Sequence, residues 1–184
     1  MTLTDAGLGR SASEADGIPL AKAVDSATAL WRSDFKRATA LRTAQPLQGA
    51  AAIAPVFEWE KPPDDLDVAR EAGHRVGAEQ VRALQAARLR YERMYREAGG
   101  IPVRPRVVQF LAVHAAPLVR GAYDDPTGRD LYRAAGGLAA LAGICAYDAD
   151  LQGIAQRYFF QALRMAKASG DRGFGGYVIA LLAN

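Results

Sequence analysis

Apolar residues recur at intervals of three and four along most of this chain, and this period is typical of helices. The first such pattern predicts a helix over residues 19–40, anchored in the core by Trp31 and Phe35. A second pattern predicts a helix from about Ala78 to the paired glycines at 99–100, because glycine readily takes the left-handed conformation beyond a helix end. No segment shows sustained alternation of apolar and polar residues between turn signals, so we predict no sheet. The expected fold class is all-α, built from antiparallel helical hairpins.

Prolines divide the middle of the chain. Residues 45–63 contain several prolines and permit only a short helix. The next helix is expected from about Arg104, with His114 on its inner face and with Pro117 either kinking it or ending it early.

Acidic residues mark the helix starts in the last third. Asp124 followed by Pro126 is a strong helix start, and the helix it opens is so rich in alanine and glycine that a neighbouring helix can approach closely. Asp148 or Asp150 is expected to cap the following helix, and a last helix is expected to begin near Phe174.

The charge of the chain is unevenly distributed. A net charge of +3 is too small to indicate a nucleic-acid binder, but nine arginines against four acids lie between residues 70 and 106. The simplest interpretation is a solvated helix face, and the alternatives are a surface for an acidic protein partner or for the DNA backbone. The arginines are Arg70, Arg75, Arg82, Arg88, Arg90, Arg93, Arg96, Arg104 and Arg106.

Composition also bears on the compartment. The sequence has no apolar run of the roughly 18 to 20 residues that a membrane span requires, so we expect no membrane association. Residues 1–17 lack the apolar segment of a secretory signal, so we expect a cytoplasmic protein. Cys145 is the only cysteine, which excludes an intrachain disulfide and a cysteine-based zinc cluster, and its apolar neighbours predict a buried thiol.

Four small or aromatic residues in the C-terminal third follow the spacing of a helical repeat. Ala155, Phe159 and Ala162 stand at the A-x3-F-x2-A spacing that the second helix of a tetratricopeptide (TPR) repeat uses. Gly143 lies twelve residues before Ala155, where the first helix of such a repeat places a small residue so that its partner can pack closely. We therefore predict that these four residues pack a TPR-like hairpin of a right-handed α-solenoid. The repeat is degenerate, because other residues replace the consensus tryptophan, leucine and proline.

A second repeat is expected to begin near the C-terminus. Gly176 follows Gly143 by 33 residues, close to the TPR period of about 34 residues. The sequence ends before a second helix could cover the apolar face of this segment, so we expect either a fragment of a longer protein or a protomer completed by oligomerisation. The predicted divisions are a flexible tail or linker at 1–18, a helical region at 19–125, and a TPR-like hairpin with the start of a second repeat at 126–184. The apolar face consists of Tyr177, Val178, Leu181 and Leu182.

Several segments together resemble a family of actinobacterial transcriptional regulators that carry an N-terminal helix-turn-helix domain followed by a TPR-like region. The matching segments are Ala29-Leu30-Trp31-Arg32-Ser33-Asp34, Gly99-Gly100, Ala116-Pro117-Leu118-Val119-Arg120-Gly121, Leu141-Ala142-Gly143, Ala155-Gln156-Arg157-Tyr158-Phe159-Phe160-Gln161-Ala162-Leu163-Arg164-Met165-Ala166 and Gly170-Asp171-Arg172. The resemblance spans roughly residues 20 to 176 and implies the regulatory part of such a protein. We find no helix-turn-helix unit in this sequence, so DNA contact is expected only through a unit outside it.

Candidate catalytic and metal-binding residues are few. His114 is expected in the core or in a groove, and His74 in an exposed charged loop. Asp148-x-Asp150 imitates the start of a calcium loop, but the twelfth position is Phe159 where a glutamate is required. The glycine cluster at 173–176 follows no predicted strand, so helix packing explains it better than a nucleotide. We predict no catalytic residue, no metal site and no cofactor.

The expected function is that of a non-catalytic regulatory module. We expect a protein or peptide partner, or a small signal ligand, on the concave face of the hairpins, with occupancy passed to a DNA-binding unit outside this chain. One alternative is direct nucleic-acid binding through residues 70–106, with affinity that falls steeply with salt. Another is a dimerisation or scaffold module, and a homodimer would bury the apolar C-terminal segment. An enzyme is the least expected alternative, and its first evidence would be a pocket that holds His114 beside a carboxylate. The candidate binding residues are Arg157, Gln161, Arg164, Tyr158 and Tyr132.

Overall fold

The computed structural model describes residues 18–61 and 65–183, and every regular element in those ranges is helical. The predicted all-α class is therefore confirmed. The tail predicted at 1–18 lies outside the described residues except for Ile18. The elements are α1 (Leu20–Phe35), α2 (Thr39–Arg42), α3 (Ala50–Glu60), α4 (Ala78–Ala98), α5 (Gly100–Phe110), a π-helical turn (Leu111–Ala115), α6 (Ala116–Val119), α7 (Asp125–Asp148), α8 (Gln152–Ser169) and α9 (Arg172–Leu182).

The centre of the fold is the hairpin of α7 and α8, which share the largest helix–helix interface. Gly143 of α7 faces Phe159 of α8 so closely that a Cβ at Gly143 would lie 2.5 Å from the phenylalanine ring. Ala155 and Ala162 are almost completely buried on the same helix. All four predicted packing residues therefore lie in the interior around this hairpin. The close approach follows from the small residues of α7, most of which are buried.

Helix α8 is enclosed on every side. None of its residues from Gln152 to Ser169 is exposed, because α1, α3, α7 and α9 all pack against it. In a hairpin at the end of an open solenoid, one face of the second helix would be accessible. Here α1 and α3 cover that face, so the first and the last described helices both contribute to one core.

Glycines on α8 and α9 allow the N-terminal part to lie directly on them. A Cβ at Gly153 would clash with the carbonyl oxygen of Ala44, and a Cβ at Gly175 would clash with the Trp59 indole. Lys167 adds a hydrogen bond of 2.9 Å to the carbonyl oxygen of Lys61, at the end of α3. The glycines thus serve contacts between distant segments as well as turns.

Several predicted helix boundaries are wrong for identifiable reasons. Helix α1 ends at Phe35 instead of near residue 40, and the chain turns at Arg37, whose φ is +55°. Trp31 is fully buried as predicted, whereas Phe35 is 44% exposed and does not anchor the helix. Helix α5 begins four residues before Arg104, at Gly100. Pro102 lies in the first turn, where an N–H has no intrahelical partner, whereas Pro105 lies inside the helix and forgoes one backbone hydrogen bond.

Asp148 caps a different helix from the one predicted. The residue before α8 is Leu151, and neither Asp148 nor Asp150 supplies a side-chain cap to that helix. The carboxylate of Asp148 instead accepts a hydrogen bond of 3.1 Å from the backbone N–H of Gly100, the first residue of α5. The prediction considered only the helix that follows Asp148 in the sequence. The N–H group that Asp148 caps belongs instead to the start of a helix forty-eight residues earlier, where it has no partner within that helix. The Asp124 cap is as predicted, with its side chain accepting from Thr127 N at 2.9 Å.

The π-helical turn lies where Pro117 was expected to disturb the helix. The N–H of Ala116 donates to the carbonyl oxygen of Leu111, five residues earlier, and the next residue has no N–H to continue an α pattern. His114 lies in this turn and is exposed, so it is not on the inner face; it lines a groove, which is one of the two positions predicted for it. No helix in the described part of the chain is both long enough and apolar enough to cross a membrane.

Candidate binding surfaces

The binding face predicted on α8 is occupied by the chain itself. Gln161 accepts a hydrogen bond of 2.9 Å from the Trp31 indole N–H, and Arg164 donates to both carboxylate oxygens of Asp65 at 2.7 and 2.9 Å. Arg157 donates to the carbonyl oxygen of Gln45 at 3.1 Å. These three side chains therefore hold α1 and the connecting segments against α8.

The two tyrosines predicted as amphipathic contacts are not at the surface. Tyr158 is 0% exposed and Tyr132 is 2% exposed. The Tyr132 hydroxyl lies 2.6 Å from that of Tyr123, which in turn donates to the carbonyl oxygen of Val119. Burial raises the pKa of both tyrosines well above its ordinary value. Assigning them to an open face was wrong, because each buried hydroxyl has an internal partner.

Tyr158 belongs to a buried polar cluster between α1, α5 and α8. Its hydroxyl donates to Asp34 Oδ2 at 2.8 Å, and Arg104 Nη2 donates to the two oxygens of the same carboxylate at 2.6 and 2.8 Å. The Asp34 side chain is 3% exposed. A buried carboxylate needs such partners, since an unpaired charge in the interior is strongly destabilising. This cluster fixes α1 to the hairpin and is not accessible to a ligand.

An open groove is lined by α7 and lies between α4 and α9. This α4–α9 groove has a volume of about 500 Å³. Its floor is formed by small and aliphatic residues of α7, among them Gly137 and Ala140. The aliphatic part of Arg88 rests on Gly137, where a Cβ would lie only 2.5 Å from its Cδ. Its charged and aromatic walls are formed by Arg88, Arg96, Arg133, Tyr95, Phe174 and Tyr177.

The arginines of the α4–α9 groove differ in their partners. Arg88 pairs with Glu92 at 2.7 Å, and Arg133 pairs with Asp171 while its guanidinium lies 4.3 Å from the centre of the Phe174 ring. Arg96 is exposed and forms no ion pair with any residue of the described ranges. With three arginines and two acids, the lining is net positive.

Two tyrosines line the α4–α9 groove, Tyr95 on α4 and Tyr177 on α9. Tyr177 on α9 is 52% exposed. Burial is the main cause that raises its pKa, and the nearby Glu92 carboxylate adds to that effect. Burial and the Asp148 carboxylate likewise raise the pKa of Tyr95. Both phenols are therefore neutral near pH 7, and the exposed Tyr177 presents its ring and hydroxyl to an occupant.

A second groove separates α4 from the end of α5 and the π-helical turn. This α4–α5 groove has a volume of about 430 Å³. The His114 ring lies 5.0 Å from that of Phe110, which makes an edge contact of 5.7 Å with Tyr91. No described residue lining this groove is a carboxylate, the partner that catalysis by His114 would require. The lining residues are Arg90, Tyr91, Met94, Arg106, Gln109, Phe110 and His114.

The arginine-rich stretch 70–106 does not form one continuous face. Arg104 is used in the buried cluster, Arg88 lies in the α4–α9 groove, and Arg90 and Arg106 line the α4–α5 groove. Periodicity explains the division, since residues 88, 92, 95 and 96 share one face of α4 whereas 90, 91 and 94 share another. Sequence reasoning grouped these arginines by position along the chain and missed both grooves.

The apolar C-terminal segment is largely covered. Val178 is fully buried, and Leu181 and Leu182 are partly buried against the same core. The expectation of an open apolar face on α9 is therefore wrong for these residues, because α8 supplies the packing surface. Exposed apolar side chains one turn apart occur on α3, where Ile53 and Phe57 are 50% and 57% exposed.

Groups with catalytic or metal-binding potential are dispersed. Cys145 is buried, and burial together with the nearby Asp148 raises the pKa of its thiol to about 12. His74 is exposed and its carbonyl oxygen, not its ring, accepts from Ala122 N. Within residues 18–61 and 65–183, no three histidine, cysteine or acidic side chains are grouped so as to hold a metal ion.

Comparison with known proteins gives no relative: the chain matches no protein-family model, no curated protein sequence and no solved structure.

Proposed function

We propose that this chain is a non-catalytic regulatory module of a transcriptional regulator, and that it binds an acidic segment of a protein partner in the α4–α9 groove. The regulatory role is suggested by the resemblance of residues 20 to 176 to the TPR-like part of such proteins. The observation that carries the binding proposal is the convergence of Arg88, Arg96 and Arg133 on a groove walled by aromatic rings.

The chemistry of the groove favours a segment with both acidic and apolar side chains. The exposed guanidinium of Arg96 offers a bidentate site for a carboxylate that no described acid occupies. Tyr177 offers an exposed ring, and the partly buried Ile144 of α7 adds an apolar surface to the lining. Such combinations of aromatic and arginine side chains carry much of the affinity at protein interfaces.

Occupancy of this groove would be transmitted through α9. This helix packs mainly on α8, whereas α4 packs on α5 and α7. An occupant that touches both Arg96 and Tyr177 therefore links two helices that have little direct contact. Linking them stabilises one position of α9, and a DNA-binding unit coupled to that helix would respond to it.

Selection from a random peptide library on the immobilised chain tests the binding proposal. We expect the enriched peptides to carry more aspartate and glutamate than the starting library and to contain an aromatic or aliphatic residue. Their affinity should fall at least tenfold for Arg96→Glu and for Tyr177→Ser. Arg82→Glu, an exposed arginine on α4 outside both grooves, is the matched control and should leave affinity nearly unchanged.

Peptides without acidic enrichment, or affinities that respond equally to Arg96→Glu and Arg82→Glu, would contradict the assignment of this groove. The regulatory role has a separate test in the native host. Replacing Arg96 by Glu at the chromosomal locus should change the transcript levels of controlled genes, and unchanged transcripts would argue against regulation through this groove.

A further inference from the structure

The α4–α5 groove lies apart from the proposed partner site. Arg90 and Tyr91 occupy a different face of α4 from Arg88 and Arg96, so an occupant of one groove does not touch the arginines of the other. We propose that this groove binds a small planar ligand that carries an anionic group, namely an aromatic ring bearing a phosphate or a carboxylate.

The charge of the groove selects an anion. Arg90 and Arg106 are both exposed, and neither forms an ion pair with a residue of the described ranges. No acid lines the groove, in contrast to the α4–α9 groove, where two of the three arginines are already paired. Two unopposed guanidinium groups on one small concave surface favour phosphate or carboxylate, which they bind in a planar, bidentate geometry.

The rings of the groove select a planar partner. His114 and Phe110 are tilted 38° to each other with centres 5.0 Å apart, and both rings line the groove. Arg90 already lies 4.9 Å from the centre of the Tyr91 ring, which holds the guanidinium next to the aromatic wall. The partly buried Met94 supplies a polarisable floor of the kind that adapts to flat ligands.

The size of the groove favours a small molecule over a polymer. A volume of about 430 Å³ lies toward the lower end of the range of roughly 300 to 1,000 Å³ typical of small-ligand sites. The remaining exposed arginines of the stretch, Arg75, Arg82 and Arg93, do not line the groove and do not extend it into a track for a strand. The π-helical turn that carries His114 adds to the case, since such turns occur frequently at functional sites.

Calorimetric titration of the full 184-residue chain tests this inference. The ligands are two ring phosphates (adenosine and guanosine 5′-monophosphate), two ring carboxylates (salicylate and indole-3-acetate), adenosine as the ring alone, and inorganic phosphate as the anion alone. We expect at least one ring phosphate or ring carboxylate to bind with a dissociation constant below about 1 mM. Adenosine and inorganic phosphate should each bind at least tenfold more weakly than the tightest-binding of the four ring phosphates and ring carboxylates.

Variants that remove the positive charge of the two arginines locate the site. Because both side chains are exposed, the double variant Arg90→Gln with Arg106→Gln should fold like the parent chain, as measured by circular dichroism. Its affinity for the tightest-binding ligand should be at least tenfold lower. Arg93→Gln, an exposed arginine on the same helix, is the matched control and should leave that affinity unchanged. Arg96→Glu should also leave it unchanged, which distinguishes this site from the proposed partner groove.

Three outcomes would overturn the inference. The first is that none of the four ring anions binds below about 1 mM. The second is that the folded double variant binds the best ligand as tightly as the parent does. The third is that a single-stranded thymidine octamer binds while the ring anions do not, which would assign the two arginines to a nucleic-acid strand.

Discussion

Asp34 and Arg104 lie seventy residues apart in the sequence and form an ion pair inside the molecule, with Arg104 Nη2 at 2.6 Å and 2.8 Å from the two carboxylate oxygens. The Tyr158 hydroxyl completes the arrangement from α8. The pair therefore joins α1 to α5 and, through Tyr158, to the central hairpin. It explains why α1 covers the face of α8 that the repeat pattern predicted to be open.

Removing the Asp34 carboxylate should be strongly destabilising. Asp34→Ala leaves the mostly buried Arg104 guanidinium without its partner, and we expect a loss of about 3 kcal/mol in the free energy of unfolding, measured with urea. The control is Asp25→Ala on the same helix. The Asp25 side chain is 61% exposed and pairs with Arg120, so its loss should cost less than about 1 kcal/mol. Equal losses in the two variants would contradict the anchoring role of Asp34.

A methyl group at Gly143 should disturb the central hairpin. The new Cβ of Gly143→Ala would lie 2.5 Å from the Phe159 ring, so the ring or the helix must move. We expect a net loss of about 1–2 kcal/mol on urea unfolding, in spite of the higher helix propensity of alanine. Gly176→Ala meets nothing within 4 Å and should instead stabilise by about 0.5–1 kcal/mol. Stabilisation by both substitutions would show that α7 and α8 are not in such close contact.

Residues 44–47 should loosen when Gly153 is replaced. Gln156 holds this segment through two hydrogen bonds with the Leu47 backbone, at 2.7 and 3.0 Å, and Gly153 lies against the Ala44 carbonyl group. Gly153→Ala should therefore increase amide hydrogen exchange at Leu47 about tenfold or more, while the amides of α1 keep their protection. Unchanged exchange at Leu47, or the same increase in Gly176→Ala, would contradict the contact.

Stability should fall in alkaline solution because of buried phenols and the thiol. Burial raises the pKa values of Tyr132 and Tyr158 and raises that of Cys145 to about 12. The folded chain thus keeps protons that the unfolded chain releases, so these groups leave stability unchanged below about pH 8 and reduce it as the pH rises from about 9 to 12. Urea unfolding across this range should show the decrease. In the folded chain Cys145 should resist thiol reagents near pH 8, and rapid modification there would contradict its burial.

The sequence was informative where a contact depends on nearby residues. The Asp124 cap, the end of α4 at a glycine, and the burial of Trp31 all follow from local patterns. The close approach of Gly143 and Phe159 could also be anticipated, because a hairpin with a short turn brings residues at that spacing together.

The environment of α8 could not be predicted in this way. Its polar and aromatic residues resemble a surface in the sequence because their partners lie about a hundred residues or more earlier, as with Trp31 for Gln161 and Asp34 for Tyr158. The two grooves were missed for a related reason. Each combines one face of α4 with residues from other helices, and nothing in the spacing of Arg88 or Arg90 reveals which helix lies opposite.

Mapping a selected acidic peptide onto the isotopically labelled chain by chemical-shift perturbation tests most directly whether the α4–α9 groove is the partner site. We predict shifts at residues 88–96 of α4, at 137–144 of α7 and at 171–177 around α9, and loss of these shifts in Arg96→Glu. Shifts confined to residues 157–164 of α8 with release of residues 44–47, or shifts that persist in Arg96→Glu, would contradict the proposal and return the partner site to the face of α8.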